Sequence, residues 1–237
     1  MDLSVVIPVH NEEESIGGLI NEITTALKDY KYEIVVVDDG STDNTLQVLT
    51  EIKKDLSILR VVKHLKNSGQ STAVRTGVQY ANSPWIATLD GDGQNDPADI
   101  PNLYKALVEQ DSDSWLVVAG YRKKRKDTWL KRISSKYANS IRDRLLRDGT
   151  PDTGCGLKIF ARDSFLALPY FDHMHRYIPA LFQRQGGRVV SIEVNHRHRM
   201  QGVSKYGFHN RLWVGIVDIL GVRWLQNRAK LTDTQEL

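Results

Sequence analysis

Residues 3–40, LSVVIPVHNEEESIGGLINEITTALKDYKYEIVVVDDG, hold two short apolar runs, Leu3–Val9 and Glu33–Asp38, on either side of an amphipathic stretch. Both runs are rich in Val and Ile and short enough for strands buried on both faces. Between them Ile16, Leu19, Ile20, Ile23 and Leu27 recur at helical spacing. Asn11 and Glu14 are spaced as the N-cap and N3 of a capping box, which predicts a helix opening just after Asn11. A strand, a helix and a strand in so short a span imply parallel strands joined by a right-handed crossover.

The same alternation continues outward. Strands are predicted at Ile58–Lys63 and Trp85–Asp90, with helices over Asp43 to Lys54 and Gln70 to Ala81. The second half is less regular: strands at Trp115–Tyr121, Leu157–Arg162 and Arg188–Val194, and a cationic helix from Trp129 to Arg147. The fold class is α/β with a mostly parallel central sheet. No repeat or linker divides the chain, so residues 1–210 read as a single domain, its halves meeting chemically near 118, with a C-terminal amphipathic helix and tail over 211–237.

Composition agrees. The 237 residues are 41% hydrophobic and 26% charged, near globular averages, which excludes collagen-like, coiled-coil and disordered chains. The net charge of +3 conceals an asymmetry: residues 1–118 hold 9 Lys and Arg against 19 Asp and Glu, whereas 119–237 hold 23 against 10. An acidic half suits a metal, and a basic half suits a phosphate-bearing partner. The single cysteine, Cys155, allows no internal disulfide, and the first residues lack the basic flank and cleavage site of a secretory signal, which favours a cytoplasmic protein.

Parallel sheets bind ligands beyond the carboxyl ends of their strands, and here those loops are rich in carboxylates: Pro8-Val9-His10-Asn11-Glu12, Asp38-Asp39-Gly40-Ser41 and Asp90-Gly91-Asp92-Gly93-Gln94. A dinucleotide-binding dehydrogenase is excluded, because Glu12-Glu13-Glu14 stands where a pyrophosphate needs bare backbone amides. No Gly-Lys-Ser/Thr marks a P-loop. Asp90 and Asp92, two residues apart among glycines, can offer hard oxygen ligands to Mg²⁺ or Mn²⁺. Two carboxylates leave coordination positions for water and a diphosphate, so the site reads as one that bridges metal and substrate. Asp38 and Asp39 can accept hydrogen bonds from a base or ribose, or cap the helix that follows. His173, His175, His196 and His198 lack a further ligand at zinc spacing. Cys155, between glycines, reads as a packing residue.

Taken together the motifs resemble the inverting family-2 glycosyltransferases, in the branch of dolichol-phosphate mannose synthases and bacterial polyprenyl-phosphate glycosyltransferases. The resemblance covers most of the chain. It rests on Val6–Glu12, Val36–Asp43, Asn67-Ser68-Gly69 with Ala73 and Gly77, Leu89–Pro97, Arg122, Arg132 with Ser135, and Arg199 with Gly202, Ser204, Lys205 and Tyr206. It implies a nucleotide-diphospho-sugar transferase (GT-A, Rossmann-like) fold. It also implies transfer from GDP-mannose or a UDP-hexose to a polyprenyl phosphate, in cell-envelope glycan or lipopolysaccharide biosynthesis.

The resemblance further assigns Pro8, Asn11, Glu12 and Asp39 to the nucleoside, and Asp90, Asp92 and Gln94 to the metal and diphosphate. Arg122, Arg132, Ser135, Arg199, Ser204 and Lys205 fall to the donor and acceptor phosphates. Asp92, Asp152 and Arg122 are the catalytic candidates. A lipid phosphate is already anionic at neutral pH, so the acceptor needs cations more than it needs a base. Around Asp152, Gly154-Cys155-Gly156-Leu157-Lys158 departs from the family's usual Ser-Gly-Phe-Arg, which leaves Asp152 as either a base or an acceptor-positioning carboxylate.

The apolar window Leu212–Val222 is too short to span a bilayer. Wound as a helix, it puts Trp213, Ile216, Leu220 and Trp224 on one side and Arg211, Asp218 and Gln226 in a polar stripe. That pattern suits an interfacial helix at the inner face of the cytoplasmic membrane, or a helix packed on the core. Two other functions fit less of the sequence. A transferase acting on a sugar hydroxyl would need Asp152 as a true base, and a noncatalytic phosphate- or nucleic-acid-binding module would leave Asp90, Asp92 and Gln94 unexplained. No nucleic-acid partner is expected, because the basic half has no interleaved aromatic platform.

Overall fold

A computed structural model describes residues 2–110, 113–122, 142, 144–197 and 208–232, with the side chains of the last stretch from 214 onward. In chain order it contains β1 (Leu3–Val9), α1 (Ile16–Ala26), β2 (Tyr32–Asp38), α2 (Thr45–Asp55), β3 (Leu59–Lys63), α3 (Gln70–Tyr80) and β4 (Trp85–Thr88). Then come α4 (Ile100–Glu109), β5 (Leu116–Tyr121), β6 (Lys158–Ala161), α5 (Arg162–Leu166), α6 (Ile178–Arg184), β7 (Arg188–Glu193) and α7 (Phe208–Arg228).

The strands form one sheet in the order β3-β2-β1-β4-β6-β5-β7. β1 pairs in parallel with β2 from Leu3↔Tyr32 to Val9↔Asp38, and with β4 from Ser4↔Ile86 to Val6↔Thr88. β6 runs antiparallel to both its neighbours, while β5 and β7 are parallel. The chain leaves β1 for β2 and β3, then returns to β4 on the other side. The carboxyl ends of β1 and β4 therefore flank a topological switch point, where such sheets open a ligand crevice.

Both faces of the sheet are covered. On one, Ile16 and Ile23 of α1, Leu49 of α2 and Leu103 and Leu107 of α4 pack on Val5, Ile7, Ile34 and Val36. On the other, Val74 and Val78 of α3, Phe165 of α5 and Leu181 and Phe182 of α6 pack on Val6, Val35 and Phe160. Phe160 and Phe165 stack at 4.9 Å between centroids.

The predicted capping box does not form. α1 begins at Ile16 behind Ser15, and Glu14 is exposed. Asn11 takes a positive φ of 57° because its amide donates to Ser41 Oγ and its Oδ1 accepts from the Thr42 amide at 2.7 Å. A partner 31 positions away thus wins over the local cap. α2 begins at Thr45 rather than Asp43, whose Oδ1 accepts from both the amide and the hydroxyl of Thr45. α4, α5 and α6 were not predicted. Of the helix predicted over Trp129 to Arg147, Arg142 and residues 144–147 are described; Arg142 and 144–146 are helical, and Arg147, with a φ of 53°, lies outside the helix.

The C-terminal helix is longer than the window that suggested it, and Asp218 and Gln226 of its polar stripe face the protein, the side chains of Arg211 and Trp213 lying outside the described ones. Asp218 faces His173 at 3.2 Å, and Gln226 donates to the Leu146 carbonyl. Val222 is buried against the second core, with Ile219 and Leu225 beside it. Ile216, Val217, Leu220 and Trp224 are exposed, so α7 docks through Asp218, Ile219, Val222, Leu225 and Gln226 and presents a second apolar set outward. No described helix is long and apolar enough to cross a membrane.

Candidate functional site

The crevice is walled by three loops, and hydrogen bonds join them. Pro8 lies within β1 opposite Val37, and His10 Nδ1 lies 3.0 Å from the Asp39 carbonyl. The Glu12 amide donates to Thr45 Oγ1 at 2.8 Å. Ser15 Oγ lies 2.9 Å from Glu12 Oε2 and 3.0 Å from the Gly91 carbonyl. Asn11 and Glu12, two of the predicted nucleoside residues, are thus anchored to the loop after β2, the second loop, and Ser15 ties Glu12 to the loop after β4, the fourth loop.

Asp39 is buried at the start of the second loop, directly after β2. Its Oδ1 accepts from His64 Nδ1 at 2.6 Å and from the Ser68 amide at 2.9 Å, and its Oδ2 accepts from the Gly69 amide at 2.8 Å. The carboxylate predicted to receive a base or ribose therefore also organises the loop over 66–69. Each carboxylate oxygen has two lone pairs, so Oδ2 keeps acceptor capacity. Gly40 (φ 67°) lets the two loops touch: a Cβ there would lie 2.6 Å from the Asn67 backbone nitrogen. Asp38 Oδ1 accepts from the Ser41 amide, while its buried Oδ2 has no hydrogen-bond partner among the described residues.

Asp90, Asp92 and Gln94 share the fourth loop. Asp90 Oδ1 accepts from Gln70 Nε2 at 2.8 Å, and Asp92 Oδ1 accepts from the Gln94 amide at 3.1 Å. Gly156 lies so close to the Asp90 carboxylate that any Cβ would overlap it. Burial first, and then the neighbouring Asp92 charge, push the Asp90 carboxyl up to about 6, against the pull of Lys158 and Arg122. Repulsion between two hard oxygen donors is what a divalent cation would relieve, so these side chains fit Mg²⁺ or Mn²⁺. Among the described residues no three His, Cys, Asp or Glu side chains form a cage. The fit is to a metal held by two carboxylates and completed by water and substrate oxygens.

Beside this loop Arg122, just past β5, grips Asp152 with two bonds: Nε to Oδ2 at 2.5 Å and Nη2 to Oδ1 at 2.9 Å. Burial works against the Arg122 charge, but Asp152 outweighs it and holds the guanidinium above its ordinary value. The turn carrying Asp152 is held by Arg142, which donates to the Thr150 carbonyl at 2.6 Å and to Thr153 Oγ1. The segment after β7 closes over the fourth loop. The Arg197 amide donates to the Gln94 carbonyl at 3.0 Å, Asn195 bonds Asp99, and the Arg197 guanidinium joins Asp96 to Glu22 at 2.5 and 2.6 Å.

Of the predicted site residues, the structure gathers Pro8, Asn11, Glu12, Asp39, Asp90, Asp92, Gln94, Arg122 and Asp152 at one end of the sheet. Arg132, Ser135, Arg199, Ser204 and Lys205 lie outside the described residues, as do Lys123–Lys126. Sequence reading missed Gln70, Lys158 and Arg197. One signal was available: Lys158 interrupts an otherwise apolar run, Leu157–Ala161.

A family model described as glycosyl transferase family 2 matches residues 4–168. The dodecaprenyl-phosphate galacturonate synthase of Rhizobium johnstonii is 37% identical over 228 residues, which are 94% of this chain and 66% of that protein. The chain therefore spans just under two thirds of that relative's length. Among solved structures, glucosyl-3-phosphoglycerate synthase from Mycobacterium tuberculosis, bound to Mg²⁺ and uridine diphosphate, superposes with a TM-score of 0.67 at 19% identity, covering 98% of this chain and 81% of its own. A mannosyltransferase from Pyrobaculum calidifontis, bound to GDP-Man and Mn²⁺, gives the same TM-score and identity, covering 98% and 65%. At such identities the likeness is one of fold.

Proposed function

The chain belongs to glycosyl transferase family 2, and from that premise we propose that it transfers one sugar, with inversion, from a nucleotide diphosphate sugar to a polyprenyl phosphate at a membrane surface. Its fold is the GT-A fold of nucleotide-sugar transferases. The observation that carries the choice of acceptor is the Arg122–Asp152 fork. An aspartate bound through both oxygens to a guanidinium is a poor general base for a sugar hydroxyl, whereas a phosphate acceptor is already ionised and needs none. The name of the Rhizobium johnstonii relative, a dodecaprenyl-phosphate galacturonate synthase, supports the same acceptor. The outward apolar face of α7, with the Arg228 guanidinium over the Trp224 ring, supports peripheral attachment to a membrane.

In this reading Asn11, Glu12 and Asp39 bind the nucleoside, and Asp90, Asp92 and Gln94 hold the metal-diphosphate end of the donor. When bound, Mg²⁺ or Mn²⁺ supplies charge stabilisation for the departing diphosphate. Arg122 lies beside the anomeric position and exchanges part of its bond with Asp152 for the incoming phosphate, so repulsion between two phosphates is offset where they meet. The role extends to Arg132, Ser135, Arg199, Ser204 and Lys205 on the acceptor side. The test is transfer from a panel of labelled donors, GDP-mannose, UDP-hexoses and UDP-galacturonate, to short polyprenyl phosphates. Chloroform-soluble product supports the reading, and product formed only on soluble hydroxyl acceptors refutes it.

A further inference from the structure

Lys158 is a charged residue inside the sheet. It lies on β6 opposite Thr88, is 3% exposed, and has the fully buried Leu157, Ile159 and Phe160 around it in sequence. Its ammonium donates to the carbonyls of Cys155 and of Thr153, the latter at 3.4 Å. Among the described residues no carboxylate lies within ion-pair distance of it. Burying an ammonium costs several kcal/mol, and burial pushes the Lys158 amine below its ordinary value. A leucine would avoid that cost, so the position is explained by what the ammonium holds.

It holds the turn over 152–156. That turn delivers Asp152 to Arg122 at one end and sets Gly156 against the Asp90 carboxylate at the other. Arg142 secures the turn from its far side through Thr150 and Thr153, but among the described residues it is the Lys158 side chain that reaches the carbonyls between Asp152 and Gly156. We propose that Lys158 is a positioning residue of the transfer reaction, whose ammonium fixes this turn so that the Arg122 fork and the Asp90 carboxylate keep their places together. The kinetic part rests on the transferase reading; the structural part does not.

Cys155 is the chain's single cysteine and is buried, so its thiol reports on the turn independently of activity. The experiment compares the full chain with Lys158→Met, Lys158→Arg and Leu103→Ala, the last a core truncation in α4 that matches lost stability without touching the turn. Native-state modification of Cys155 by a disulfide reagent and steady-state transfer are both measured. Lys158→Met is expected to react at least about tenfold faster than Leu103→Ala. Its kcat is expected to fall about a hundredfold with the nucleotide-sugar KM within about threefold, and Lys158→Arg should recover much of the loss. In an Asp152→Asn background the cost of Lys158→Met should shrink, because both act through one turn. Thiol reactivity equal to that of Leu103→Ala, or a kcat within about threefold of the parent, overturns the inference. Should Lys158→Met not fold, Lys158→Gln is held to the same thresholds. Should the parent transfer no sugar, the proposed function fails and the thiol rates alone decide.

Discussion

Arg122 and Asp152 face each other as a two-bond pair, and both side chains are nearly withdrawn from solvent, at 12% and 7% exposure. Neither is free to act alone. If the acceptor is a phosphate, Asp152→Asn keeps a side chain of the same shape and loses only part of the grip on Arg122, so kcat should fall about tenfold. For a hydroxyl acceptor the same change would remove the base and cost about 10³-fold or more. Steady-state rates with saturating donor separate the two outcomes.

The raised Asp90 carboxyl gives a pH dependence with a definite sign. A divalent cation needs the ionised form, so Mn²⁺ affinity, read by calorimetry, should weaken as pH falls through about 6. The effect on stability runs the other way. Between the ordinary value of 3.8 and about 6 the folded, metal-free protein binds a proton that the unfolded chain has released, so the contribution of this group to stability declines as pH rises through that window. Asp90→Asn should therefore melt higher than the parent at pH 7 without metal, by about 2–4 °C, while losing transfer.

Gly156 offers a steric test of the same carboxylate. Gly156→Ala places a methyl group on the Asp90 side chain and must displace either Asp90 or the turn, at a cost of about 1–3 kcal/mol in stability. Mn²⁺ affinity should fall by at least about tenfold, which corresponds to about 1.4 kcal/mol. An unchanged affinity would mean that Asp90 moves without consequence.

The exposed face of α7 predicts vesicle binding. Replacing Leu220 and Trp224, which are 58% and 59% exposed, by glutamate should abolish co-sedimentation with anionic vesicles. Transfer to a short, water-soluble polyprenyl phosphate should remain within about twofold, because both side chains are exposed and only the membrane contact is removed. Loss of both activities together would mean that α7 supports the fold rather than the surface.

The sequence was most legible where signals are local. β1 and β2, the helix between them and the strand-end carboxylates all show in apolar runs and spacing, and so does the end of the sheet that carries the ligand loops, whereas the switch point needed the strand order. It was least legible where partners are distant. The capping box failed because Asn11 answers to Ser41 and Thr42, and α4 was hidden behind Pro97, which followed a motif already read as a loop. Arg197 joins Glu22 across 175 positions, a pairing no local pattern announces. Lys158 gains meaning only once β6 is seen to run antiparallel beside β4, which brings the turn over 152–156 against Asp90. The stripe of Asp218 and Gln226 was recognised, yet its direction depended on His173 and Leu146, which the helix itself does not encode.

The central claim is that Asp90 and Asp92 hold a divalent cation that serves transfer to a lipid phosphate. Its most direct test is an Mn²⁺ titration of the rate of sugar transfer to a short polyprenyl phosphate, for the parent and for Asp92→Ala. The parent should show saturable dependence and no turnover in chelator, and Asp92→Ala should fall by at least about 10²-fold at any Mn²⁺ concentration. Equal turnover by Asp92→Ala, or full parent activity in chelator, would contradict the claim.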